Sequence, residues 1–327
     1  MQFIMKIGII GAGIVGRKRG MAVRDIGKDK VLFVADLDIR RAESLAVDFT
    51  GCRVTRDWRE IVSDIDVDAI CVSTTHNCLA EISLTALKHG KHVLCEKPLG
   101  VSAVEVAKCV GEAEKKRLIY KAGFNHRFHP GVSKAYTMFK GGRIGKLMYI
   151  KTTYGTGGRP GYEKEWRMDK KLSGGGELID QGVHLIDLSR WFMGEITESK
   201  SELLTSFWPV KVEDNAFVWL KNKNVLAELH ASWTEWKNRF VFEVYGTKGY
   251  LKIEGLGGSY GAETLTWGVR IPGAAPREKS WEFSGEDKSW VKEWVNFRQA
   301  IMGRIKLNGS GKDGLMVLGL VEKIYKS

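Results

Sequence analysis

Residues 6–16 read Lys6-Ile7-Gly8-Ile9-Ile10-Gly11-Ala12-Gly13-Ile14-Val15-Gly16, a β-branched run that leads into three glycines spaced as GxGxxG and then into a helical pattern. A strand, a turn and a helix in that order are the context a dinucleotide-binding turn requires. Gly11 permits the tight turn, Gly13 lets a pyrophosphate approach the backbone, and Gly16 lets helix pack closely on strand. Ile14 and Val15 open the helix, whose N-terminal N–H groups and partial positive charge suit phosphates. Asp36 lies 20 residues after Gly16, at the end of the second strand, where a carboxylate accepts hydrogen bonds from a ribose diol. A bare glycine-rich turn is the competing reading, and Asp36 argues against it. The same carboxylate would meet the 2′-phosphate of NADP as a like charge, which favours NAD, although Arg40 and Arg41 nearby soften the preference.

Outward from this turn, the first 122 residues alternate short apolar strands with helical patterns, the grammar of a doubly wound parallel sheet. Strands are expected at Lys6–Ile10, Val31–Asp36, Asp68–Ser73, His92–Cys95 and Leu118–Ala122. Ser102 with Glu105 three positions on reads as a capping box that starts a helix. After Gly123 the pattern changes to one long helix over Glu177–Phe192 and closely spaced strands at Ala216–Leu220, Val225–Trp233, Phe240–Tyr245 and Tyr250–Glu254. Short turns at Lys221–Asn224 and Gly246–Gly249 make these strands antiparallel. Helical patterns at Lys288–Met302 and Lys312–Tyr325 close the sequence. The expected fold class is α/β: a Rossmann domain over 1–122 and an α+β domain with a mostly antiparallel sheet over 123–327, the last helices staying with the second domain or packing back on the first.

The composition admits such a core. Of 327 residues 43% are apolar and 10% aromatic, which excludes a disordered or fibrous chain. No apolar run approaches the roughly 18 residues of a membrane span, and Met1–Ile10 has neither a basic region nor a cleavage site, so a cytoplasmic protein without a signal peptide is expected. The five cysteines (Cys52, Cys71, Cys78, Cys95, Cys109) form no CxxC pair and read as buried thiols, with no zinc site and no disulfide frame. The net charge of +12 is uneven: residues 1–122 hold 20 Lys+Arg against 16 Asp+Glu, and residues 123–170 hold 10 against 3. No helix-turn-helix, zinc finger or basic arm accompanies that charge, so nucleic acid is not an expected partner. A solubilising face and the rim of an anion pocket are both open readings of the basic segment.

Two further stretches carry chemistry. The strand His92–Cys95 runs into Glu96-Lys97-Pro98, and in an open α/β sheet charged residues at a strand's carboxyl end lie where ligands bind. Pro98 restricts Lys97 to extended geometry. A surface Glu-Lys pair is the bland alternative. The second stretch runs Gly174-Gly175-Gly176-Glu177-Leu178-Ile179-Asp180-Gln181-Gly182-Val183-His184, in which Asp180 and His184 stand four apart on an expected helix and share a face. A histidine oriented by an acid suits proton transfer near neutral pH. An ordinary surface Asp–His pair is the alternative, and no third ligand completes a metal site.

Taken together and in this order, the three pieces resemble the Gfo/Idh/MocA family of NAD(P)-dependent oxidoreductases, the glucose–fructose oxidoreductase and inositol dehydrogenase type, over essentially the whole chain. The resemblance implies a Rossmann domain followed by an α/β domain whose open sheet serves as an oligomer interface, making a homodimer or homotetramer. It implies Lys97 at the reacting hydroxyl and nicotinamide, Asp180 and His184 as the acid and proton acceptor of the second domain, and Glu96 as the acid on the cofactor side. Thr74, Thr75 and His76 match the loop along the dinucleotide, but the family's usual Thr-Pro-Asn there is replaced by Thr74-Thr75-His76. The implied activity is reversible hydride transfer between NAD and a secondary hydroxyl of a sugar or cyclitol. Arg127, Arg159, Lys164 and Arg167 with Trp166 are expected to form a cationic, stacking wall for an anionic or nucleotide-linked sugar. NAD-assisted oxidation leading to glycoside elimination is one alternative, and a dinucleotide-responsive regulator without turnover is another.

Overall fold

The structure is a computed structural model that describes residues 4–258 and 260–327; the first three residues of the Met1–Ile10 stretch, and Ser259, lie outside the described residues. The chain divides into two compact units, Met1–Asn125 with Trp290–Leu318, and His126–Ser289 with Gly319–Ser327. Among the described residues no helix is long and apolar enough to cross a membrane.

The first unit contains β1 (Lys6–Ile10), α1 (Ile14–Ile26), β2 (Lys30–Ala35), α2 (Ile39–Ala46), β3 (Arg53–Thr55), α3 (Trp58–Ser63), β4 (Ala69–Val72), α4 (His76–Lys88), β5 (His92–Glu96), α5 (Ala103–Lys116) and β6 (Tyr120–Gly123). Its strands pair in parallel in the order β3-β2-β1-β4-β5-β6, the doubly wound arrangement read from the sequence. The sequence reading passed over β3, whose three residues are too few to show an alternation. Ser102 does precede α5, in extended conformation, but its side chain makes no cap hydrogen bond. The helix start is instead favoured by Glu105, an acid in the first turn. Ile7, Ile9, Val34, Cys71 and Leu94 pack with Trp294 and Phe297 in one core, and the Asp29 carboxylate accepts from Arg298 Nε at 3.0 Å and from Trp294 Nε1 at 3.2 Å. Residues 290–318 therefore join this unit through both apolar burial and a buried ion pair.

Cys71, Cys95 and Cys109 are buried free thiols, whereas Cys52 and Cys78 are only partly covered, which corrects the expectation that all five are interior. Burial pushes the thiol of Cys71 up to about 12 and that of Cys52 up to about 11.

At the carboxyl edge of the sheet, α1 sends Arg19 inward. Its Nε donates to Glu96 Oε1 at 2.7 Å, a second nitrogen pairs with Glu293, and its guanidinium lies 4.5 Å from the Trp290 ring centroid. Lys121 Nζ stands 3.6 Å from the other Glu293 oxygen. Burial disfavours the charge on Arg19, but Glu293 and Glu96 outweigh it and hold the guanidinium more firmly protonated than usual. Burial raises the Glu96 carboxyl, with Arg19 opposing. Gly123 leaves the necessary room, since a Cβ there would stand 2.8 Å from an Arg19 nitrogen and 3.0 Å from Glu96 Oε1.

The second unit holds α6 (Pro130–Lys140), β7 (Leu147–Gly155), the short α7 (Lys170–Ser173), a π-helical turn at Leu178–Gly182, α8 (Val183–Met193) and the strands β8 (Glu198–Leu204), β9 (Asn215–Asn222), β10 (Val225–Ser232), β11 (Arg239–Gly246), β12 (Gly249–Glu254), β13 (Glu263–Val269) and β14 (Arg277–Phe283). The chain closes with α9 (Ser289–Ile301) and α10 (Gly311–Tyr325). The eight strands run in the order β14-β13-β12-β11-β7-β10-β9-β8, antiparallel except for the parallel β7/β10 pair. One face buries Ile150, Leu229, Phe240, Phe242, Val244 and Leu251 under α6 and α8. The helix expected over Glu177–Phe192 is not continuous: the π turn widens its start before α8 begins.

Replacing Arg19 by leucine takes the guanidinium from the buried Glu96 carboxylate and leaves Glu293 with Lys121. The expected loss of unfolding free energy is about 3–5 kcal/mol near neutral pH, measured by urea denaturation. Without the cation the Glu96 carboxyl, already raised by burial, takes up its proton more readily folded than unfolded, so the deficit must shrink as pH falls toward about 5. A deficit that is flat with pH would contradict this account.

Candidate active site

In the first unit, β1 and β4 are neighbours although they are distant in sequence, and the strand order reverses at that junction, the switch point at which open α/β sheets bind ligands. The register aligns Ile10 with Val72 and Val72 with Cys95, so Gly11, Ser73 to His76, and Glu96 with Lys97 all follow at one sheet edge. Two of the three glycines are required by the turn itself. Gly11 has φ +92° and a Cβ there would lie 2.4 Å from the Ser73 carbonyl oxygen; a Cβ on Gly16 would lie 1.8 Å from the Gly11 oxygen. Around Gly13 nothing lies within 4 Å of where a Cβ would sit. That open space, at a helix start with no side-chain cap, fits a phosphate. Ile14 is exposed and Val15 half-buried beside it.

Asp36 closes the turn. One carboxylate oxygen accepts from Ala12 N at 2.7 Å and the other from Asp38 N at 2.9 Å. A carboxylate has about four lone-pair directions, so two bonds leave capacity for a ribose diol. Thr74 and Thr75 are half-buried where the loop after β4 enters α4, while His76 is buried as that helix's first residue. Lys97 is half-buried at the end of β5. Glu96 is not simply an acid on the cofactor side, because its carboxylate is bound to Arg19 within the core.

In the second unit the side chains of Asp180 and His184 are both buried. Arg167 Nε donates to Asp180 Oδ2 at 2.9 Å, and another Arg167 nitrogen donates to Glu165 Oε2 at 3.3 Å. The His184 ring stacks on that of His126, with centroids 3.8 Å apart and planes at 22°. Tyr154 meets His126 edge-on at 5.2 Å and lies 5.0 Å from the Tyr260 ring. Burial pushes the Tyr260 hydroxyl up to about 12 and raises that of Tyr154 well beyond its ordinary value, so both are protonated donors at neutral pH. Among the described residues no group of three His, Cys, Asp or Glu is placed to hold a metal ion.

The basic segment does not form the expected cationic wall. Arg127 is buried and forms a two-pronged pair with Asp187, at 2.8 and 2.5 Å. Arg159 and Arg167 both turn to Glu165, and the Arg167 guanidinium lies 4.7 Å from the Trp166 ring centroid, covering one of its faces. Lys164 is exposed. Of this segment's basic groups, Arg127 and Arg167 reach acids outside it, Asp187 and Asp180, while Arg159 pairs with Glu165 within it. Conversely, sequence reasoning missed His126, Tyr154 and Tyr260; only the run Asn125-His126-Arg127-Phe128-His129, dense in imidazole, offered a signal.

Comparison with known proteins adds the following. Residues 5–124 match the family model described as an oxidoreductase family, NAD-binding Rossmann fold, and residues 132–252 match the GFO/IDH/MocA C-terminal domain. The chain is 28% identical over 213 residues to levoglucosan dehydrogenase of Pseudarthrobacter phenanthrenivorans, covering 62% of this chain and 54% of that protein. It is 30% identical over 194 residues to myo-inositol 2-dehydrogenase of Thermotoga maritima, covering 59% and 56%. It thus spans about half the length of these two relatives. With glucose-6-phosphate 3-dehydrogenase of Bacillus subtilis the identity is 30% over 249 residues, covering 74% and 67%. In fold it resembles levoglucosan dehydrogenase in complex with NADH and L-sorbose, with a TM-score of 0.91 at 22% identity over 100% of this chain and 97% of that one.

The glycines separate by experiment. Gly13→Ala is expected to keep the melting temperature and weaken NAD binding in a calorimetric titration, because its Cβ enters only the open phosphate space. Gly16→Ala is expected to lower the melting temperature, since its Cβ meets backbone. Equal melting temperatures for the two variants would contradict the assignment.

Proposed function

The chain belongs to the GFO/IDH/MocA oxidoreductase family, and from that premise we propose that it transfers hydride between NAD and a secondary hydroxyl of a neutral sugar or cyclitol. The observation that carries the reading is that one chain holds two sets of groups, one in each unit. One is a glycine turn closed by Asp36 with Lys97 at the same sheet edge; the other is a buried His184 beside an acid-bearing π turn.

When bound, NAD supplies the hydride chemistry at its nicotinamide carbon. The protein's own groups orient the substrate and move the other proton. His184 accepts the hydroxyl proton through a ring nitrogen. Its ring plane is held by the His126 stack, and Asp180, anchored by Arg167, supplies the negative charge that favours the resulting imidazolium. Lys97 donates a hydrogen bond to the substrate oxygen as negative charge develops there. Asp36 directs the choice toward NAD, because a 2′-phosphate would bring a second negative charge to a carboxylate already held by two backbone N–H groups.

The ion pairs of Arg127, Arg159 and Arg167 favour a neutral polyol over the anionic or nucleotide-linked sugar that the basic segment first suggested. The uncovered face of the second sheet carries Tyr149, Tyr245 and Tyr250 in a stacked row, with partly exposed Trp219 and Leu226. Such a face supports association of copies of this chain through the sheet.

The test is NADH formation across levoglucosan, myo-inositol and glucose 6-phosphate. Turnover on a neutral polyol is the expected result, and a clear preference for glucose 6-phosphate would overturn the neutral-substrate reading. Lys97→Ala and His184→Ala are each expected to lower kcat by about 10²-fold or more while NAD affinity stays within a few-fold. Product formation without net NADH would point instead to elimination.

A further inference from the structure

A second acid, outside the residues given a chemical role above, holds the π turn in place. Glu213 immediately precedes Asp214 and β9, and it is nine-tenths buried. Both its carboxylate oxygens lie 3.1 Å from Gly176 N, and Oε1 lies 3.1 Å from Leu178 N. Its main-chain carbonyl accepts from Glu177 N at 3.0 Å. Three consecutive N–H groups at the head of the π turn thus bond to one residue. A helix head leaves such donors unsatisfied and carries partial positive charge, so a buried carboxylate is well matched to it. Tyr325 on α10 completes the arrangement by donating its hydroxyl to Glu213 Oε1 at 2.6 Å.

The glycine run is shaped for this clamp. A Cβ on Gly176 would come within 2.1 Å of the Glu213 carbonyl oxygen, and one on Gly175 within 2.0 Å of the Tyr325 hydroxyl oxygen. Glu213 itself is fixed in turn, because the neighbouring Asp214 carboxylate accepts from Ser206 N and Phe207 N at 2.8 Å and from Trp208 N at 3.0 Å. Asp180 sits two residues past Leu178, and its own N–H donates to the Gly176 carbonyl at 3.1 Å. The clamp is therefore one short turn from the carboxylate that Arg167 holds and two turns from His184. A π turn has a wider bonding pattern than an α-helix and survives where its surroundings impose it.

We propose that Glu213, seated by Tyr325, is a positioning residue for the hydride-transfer reaction, holding the π turn in the register that places Asp180 and leads into the helix carrying His184. The inference rests on the functional reading above. Loss of the carboxylate leaves two buried backbone donors at the turn's head, Gly176 N and Leu178 N, without their acceptors and lets the turn relax toward α-helical register, which displaces Asp180 while the first unit's NAD cradle is untouched.

The experiment measures kcat per NAD-binding site, with site number taken from NADH fluorescence titration, for wild type, Glu213→Ala, Glu213→Gln, Tyr325→Phe and His184→Ala. A displacement of about 1 Å costs on the order of 10²-fold, so Glu213→Ala is expected to lower kcat per site by that order with NAD affinity unchanged. Glu213→Gln keeps one carbonyl acceptor and should recover part of the loss. Tyr325→Phe removes a single donor and should cost several-fold, which keeps the test valid if Glu213→Ala does not fold. A merely architectural role would lower the melting temperature and the number of sites but leave kcat per site near wild type, and that outcome overturns the proposal. Full activity in His184→Ala would instead overturn the functional reading beneath it, so the two failures are distinguishable.

Discussion

Much of the first unit depends on one buried cation. Arg19 leaves the helix that begins at the glycine turn and pairs with Glu96, the last residue of the strand that leads into Lys97, and with Glu293. Two acids and a guanidinium are costly to bury apart, and each is tolerable only with the others in place. The helix that presents its N-terminus to phosphate and the strand end that presents Lys97 are thus held to a common reference. Small shifts of either would separate opposite charges in a dry interior, where the penalty is steep.

The second unit follows the same logic with backbone partners. Glu213 and Asp214 spend their charges on main-chain N–H groups, one at the head of the π turn and the other on the loop at 206–208. Burial works to raise Asp214, but those N–H bonds and the Asn215 amide outweigh it and hold its carboxyl below the usual range. That unit's excess of arginines is absorbed likewise. Arg127 on Asp187, and Arg167 on Asp180 and Glu165, turn a basic stretch of sequence into a set of local ion pairs.

Strand β1 with its three glycines was legible because each glycine has a separate steric reason, and the structure supplies those reasons as a positive φ at Gly11, a backbone approach at Gly16 and open space at Gly13. Asp36 was legible because its distance from the turn is set by the length of one helix and one strand. The capping box at Ser102 was read from a pattern that the side chain does not use. The strands β7 and β8 were missed because β7 alternates weakly across a mixed surface and β8 carries Glu198, Lys200 and Glu202 at an edge of the sheet.

The sequence by itself determined the things that local sterics and periodicity control, a parallel sheet with a dinucleotide turn and a mostly antiparallel second sheet, while Lys97, Asp180 and His184 stood out as candidates through the family resemblance. Tertiary structure alone decided which charges remain available. Whether Arg127 pairs with Asp187, and whether Glu96 pairs with Arg19, turn on partners far away in the chain. Electrostatic neutralisation and backbone satisfaction are contacts between distant residues, and no periodicity along the chain encodes them.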